Sequence, residues 1–167
     1  MGSKMTETDG ITESKFNLWR ALVSLVHADD VVTLQERDFF LERFQRMGLS
    51  FEQRISLQED LTQPRDIREL LPQISEKHDR SALLYFARLL FWCDGDFAEE
   101  EKELFNYLQK EITGVVESSS MMLKVEQAVQ QTVAPYEKKG TSSKADDLQL
   151  SVLNSAADFI SEKSPFI

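Results

Sequence analysis

The chain has 167 residues, with 29 Asp and Glu against 19 Lys and Arg, for a net charge of −10. That length suits one domain with its own core, and 41% hydrophobic residues with 6 Gly and 4 Pro exclude a collagenous or wholly disordered chain. One cysteine excludes a disulfide framework or Cys-cluster zinc site, and a pI near 4.7 argues against nucleic acid and anionic lipid, both of which call for clustered Lys and Arg.

Residues 1–11 are polar and carry no secretory pattern, so they read as a disordered start. The opening Met1-Gly2-Ser3-Lys4-Met5-Thr6 fits a loose myristoylation pattern, but an expression scar before a start at Met5 is the simpler expectation. Strand signals are nearly absent and helical ones recur. Phe16, Trp19, Leu22, Val23 and Val26 lie at steps of three and four and predict a first amphipathic helix. A second follows Thr33, with Phe39, Phe40, Phe44 and Met47 on one stripe and Gly48 as its stop. Ser50 caps a third running through Ile55 to Leu61. Pro64 suits the first turn of a short helix ending near Pro72. An apolar helix from about Glu76 to Cys93 comes next, too short and too charged at Arg88 to span a bilayer. Ala98 to Ile112 forms another, with Leu104, Phe105, Leu108 and Ile112 on one face.

Past Gly114 the character changes. Met121 to Ala134 reads as a helix ended by Pro135, residues 135–147 as a linker, and Leu148 to Ile160 as a last amphipathic helix with Asp146 and Asp147 as caps. Its stripe is Leu148, Val152, Leu153, Ala156, Phe159 and Ile160. The expected architecture is all-α: a compact helical core of about seven helices over 12–114, and C-terminal helices over 115–167 that pack on it or on a partner. The expected location is cytosolic.

An internal repeat is the most informative feature. His27-Ala28-Asp29-Asp30-Val31-Val32-Thr33-Leu34-Gln35-Glu36-Arg37 aligns at a constant offset of 65 with Trp92-Cys93-Asp94-Gly95-Asp96-Phe97-Ala98-Glu99-Glu100-Glu101-Lys102. Asp29 matches Asp94, Glu36 matches Glu101, and Arg37 matches Lys102. Each copy follows an apolar helix and precedes one with aromatics, so the unit is helix, acidic turn, helix, used twice. In the first copy Thr33 and Glu36 have capping-box spacing. In the second, Ala98 has no side-chain oxygen, and Asp94 to Glu103 holds six carboxylates and one Lys. Like charges at helical spacing repel unless a cation or solvent neutralises them. Ca²⁺ or Mg²⁺ would suit such an all-oxygen set. The turns are not EF-hands, because Phe40 and Phe105 stand where a bidentate Glu is required. A metal site would therefore draw on both turns, with Asp30, Asp96 and Glu100 as secondary ligands.

The paired turns, with Leu25-Val26 and Phe91 leading into them, resemble the TerB-like family of tellurite-resistance and DjlA N-terminal-type domains over residues 12–114. The resemblance implies a helical interaction module in stress-response or envelope-linked complexes. It implies metal-binding acids at Asp29, Glu36, Asp94 and Glu101. Asp30 stands where the family commonly has Gly, and Ala98 where it has a small hydroxyl residue. The tail from 115 lies outside the resemblance.

Catalytic readings are weaker. His27 and His78 are the only histidines, and neither sits in a nucleophile–base pattern. His27 lies two residues before Asp29 and reads as a helix-end residue with a local hydrogen bond. Cys93 beside an acidic turn reads as a buried, inert thiol. Arg88 is expected to snorkel or to pair with a carboxylate. Trp19 and Trp92 read as core. The expected function is non-enzymatic binding of a protein partner. A metal-free adaptor that meets a basic partner through its acidic face or tail helices is the alternative, and a metal-dependent hydrolase the weaker one.

Overall fold

Local signals set most helix ends in this chain. The computed structural model describes residues 10–29, 32–94, 99–113, 118–138 and 145–162, several helix-end positions by backbone alone. These residues are all-helical, with no strand among them. The helices are α1 (Glu13–Asp29), α2 (Leu34–Arg46), α3 (Phe51–Asp60), α4 (Ile67–Leu70), α5 (Lys77–Asp94), α6 (Glu99–Thr113), α7 (Ser118–Lys138) and α8 (Ala145–Glu162), with a 3-10 turn at Leu71–Gln73 after α4. Thr12 Oγ1 accepts the Lys15 amide at the start of α1. Thr33–Glu36 and Ser50–Gln53 form reciprocal capping boxes at α2 and α3, which satisfy amides that a helix start leaves unpaired. Gly48 takes φ +69 after α2, the left-handed turn for which a residue without Cβ is suited.

Two expectations are corrected. The short helix does not start on Pro64; Asp66 caps it, its carboxylate accepting the Arg68 amide at 2.9 Å. The intervening residues close off α3 instead, with the Thr62 and Gln63 amides bonded to the Glu59 carbonyl. Pro135 does not end α7, which runs to Lys138. A proline removes one bond to the carbonyl four residues back. That residue is the exposed Gln131, whose carbonyl can turn to water. The last turn is also held from outside the helix, by Tyr136 Oη on Ser155 Oγ (3.0 Å) and on the Ser151 carbonyl (3.3 Å). The expected linker at 135–147 thus includes the end of α7 and the start of α8, and residues 139–144 lie outside the described residues.

The chain divides into two units, Met1–Ser75 and Glu76–Ile167. The span 12–114 therefore takes in most of the first unit and the first two helices of the second. In the first unit α1 packs on α3, α4 and the 3-10 turn, and α2 on α3. Leu18, Ala21, Leu22, Val23, Leu25 and Val26 of α1 are buried against this shell together with Phe40, Phe44, Leu57, Leu70 and Ile74. In the second unit α5 packs on α6, α7 and α8. Ala82 to Phe86 are all at most 1% exposed, so the middle of α5 is buried all round, as a stretch apolar on every face must be. Phe105, Leu108 and Ile112 of α6, Met121, Val125, Val129 and Val133 of α7, and Val152, Leu153, Ala156 and Ala157 of α8 complete that core. No described helix is long and apolar enough to cross a membrane.

Candidate functional site: two acidic turns

The 65-residue offset of the sequence is also the offset of the helices. α1 ends at Asp29 and α2 begins at Leu34; α5 ends at Asp94 and α6 begins at Glu99. One aromatic position, Phe40 with Phe105, keeps that offset as well, while the rings they meet, Trp19 and Phe91, do not. Phe40 of α2 meets Trp19 of α1 edge to face with centroids 6.5 Å apart, and Phe105 of α6 meets Phe91 of α5 in the same way at 6.1 Å. In the first unit α1 and α2 both pack on α3, and in the second α5 and α6 both pack on α7.

Long-range polar contacts fix the helix that leads into each turn. In the first unit Asp60 ends α3, where the helix dipole disfavours an anion. Arg20 of α1 offsets this with two bonds, Nε to Oδ2 at 2.7 Å and Nη2 to Oδ1 at 3.0 Å. The Asp60 hydrogen bond raises the Arg20 pKa further, against the opposing effect of burial. The Arg20 guanidinium also lies 5.3 Å from the Phe16 ring centre. One further tie holds the end of α1, with His27 Nε2 2.9 Å from the Leu61 carbonyl oxygen. A carbonyl only accepts, so Nε2 carries the proton and donates. The bond expected to be local for His27 thus spans 34 residues.

In the second unit Arg88 pairs with Glu126 of α7 through two bonds of 3.0 and 3.2 Å, as its carboxylate-pairing reading anticipates. Tyr85 Oη and Thr132 Oγ1 are 2.6 Å apart, and Thr132 Oγ1 donates onward to the Ala128 carbonyl, so the tyrosine is the donor of the pair. Burial pushes the Tyr85 phenol up to about 12. Cys93 is buried, as expected, and Trp92 is half-buried where Trp19 is buried.

Among the expected site residues, Glu36 alone has a described side chain. It is 7% exposed, its Oε1 accepts the Thr33 amide at 2.9 Å, and its own amide donates to Thr33 Oγ1 at 3.1 Å. Its carboxylate is turned back onto the start of α2. Asp29 and Asp94 are the last residues of α1 and α5, and Glu100 and Glu101 lie in the first turn of α6, but the side chains of these four lie outside the described residues. Asp30 and Asp96 lie outside them altogether. Among the described residues no group of three or more His, Cys, Asp or Glu is placed to hold a metal ion.

Sequence reasoning missed Asp60, Gln53, Glu126 and Thr132 as contact residues. Asp60 had a signal: it shares a helical face with Leu57, so a carboxylate sits on a buried stripe. Gln53 joins its capping role to a clamp on the chain ahead of α1. Its Oε1 accepts the Ile11 amide at 3.1 Å and its Nε2 donates to the Ile11 carbonyl at 2.9 Å. Gly10 makes room for that clamp at φ +91, where an added Cβ would run into Gln53 Oε1.

Compared with protein-family models, with curated proteins and with solved structures, the chain matches none. Fold and repeat together define an all-helical chain that uses a helix–acidic turn–helix unit twice.

Proposed function

We propose that this chain is a non-enzymatic helical interaction module of the TerB-like kind, serving a protein complex of stress response or the cell envelope, with its acidic turns as the recognition elements. In this reading Asp29, Glu36, Asp94 and Glu101 are divalent-cation ligands, for Ca²⁺ or Mg²⁺. The observation that supports it is the helix–acidic turn–helix unit, whose helix ends keep the 65-residue offset in both units.

A second reading has its own support. Glu36 is buried and committed to the α2 capping box, so the first turn has less charge to offer than its sequence suggests. The second turn has Ala98 at the matching cap position, and Glu101 has no capping hydroxyl there to engage. This favours a metal-free adaptor in which residues 94–103 meet basic side chains of a partner.

One experiment separates them. The full chain is titrated calorimetrically with Ca²⁺, Mg²⁺, Mn²⁺ and Zn²⁺, alongside Glu101→Gln and Asp94→Asn. Cation binding gives heat that both substitutions reduce, and stabilises the fold by about 2.7 kcal/mol at a hundredfold excess over Kd. No heat and no melting shift at millimolar metal refutes the cation reading and leaves the adaptor. Salt-sensitive partner capture that survives the combined Asp94→Asn, Glu100→Gln and Glu101→Gln changes refutes the acidic turn itself.

A further inference from the structure

We draw no further inference here: the strongest candidate, the Phe51–Ile55 pair on the outer face of α3, 67% and 39% exposed between the exposed Glu52 and Glu59, is an apolar patch of two side chains, and nothing in the structure shows what covers it.

Discussion

Asp60 carries a full charge at the end of α3 with its side chain only 2% exposed, and its partner Arg20 is 14% exposed. Asp60→Asn keeps the shape and removes the charge, leaving the guanidinium in a half-buried place and presenting an amide donor to it. Breaking a buried pair from one side costs roughly 3–5 kcal/mol. Because Arg20 retains some contact with water, the expected loss is about 2–4 kcal/mol. Arg20→Met should cost a similar amount, since it strands the carboxylate at a helix C-terminus and removes the stacking on Phe16. The double change Arg20→Met with Asp60→Leu removes both charges, and should fall within about 1 kcal/mol of the parent. With the Asp60→Leu single closing the cycle, the coupling energy is then large, on the order of 2 kcal/mol or more. The assay is urea unfolding followed by Trp19 fluorescence in a Trp92→Phe background. Trp19 neighbours Arg20 on α1 and touches Phe40, so the signal reports the first unit. Single variants within about 0.5 kcal/mol of the parent, the range of ordinary surface changes, would show that the pair does not hold α1 to α3.

Four further outcomes follow from the same contacts. Thr132→Val should destabilise more than Tyr85→Phe, by about 1–2 kcal/mol in urea melts: the first strands a buried hydroxyl, while the second leaves Thr132 bonded to the Ala128 carbonyl. Tyr85 has its pKa raised from 10.0 to about 12 in the folded chain. The stability this reflects is present below pH 10 and fades as pH rises from 10 towards 12, so alkaline melts should show a loss that Tyr85→Phe reduces. Gly10→Ala should cost about 1–3 kcal/mol, combining left-handed backbone strain with loss of the Gln53 clamp, and should raise hydrogen exchange at the Ile11 amide. Thr33→Ala should cost about 1 kcal/mol by calorimetric melting through loss of the α2 cap, and Glu36→Gln should cost less, because glutamine still completes a capping box.

How much was legible depended on the range of the interaction. The sequence by itself determined the helices, because their signals are local. The stripe from Phe16 to Val26 marks α1, Thr33–Glu36 and Ser50–Gln53 mark the two caps, Gly48 marks a stop, and the 65-residue repeat marks both acidic turns. Where a local rule failed, a competing contact won: Asp66 out-caps Pro64, and the tie from Tyr136 to Ser151 and Ser155 helps carry α7 past Pro135. Only the tertiary structure decided which residues meet. Arg20 and Asp60 are 40 positions apart, Arg88 and Glu126 38, Tyr85 and Thr132 47, and no periodicity encodes such pairs. Tertiary structure also placed a boundary between residues 75 and 76 and gave α7 and α8 to the same unit as α5. The physical reason is that the middle of α5, Ala82 to Ala87, is apolar and buried on all sides, so α6 alone cannot cover it, and helices from the far end of the chain are needed to bury the rest. For the acidic turns, the sequence supplied the charge and its duplication; the structure showed that Glu36 is spent on starting a helix.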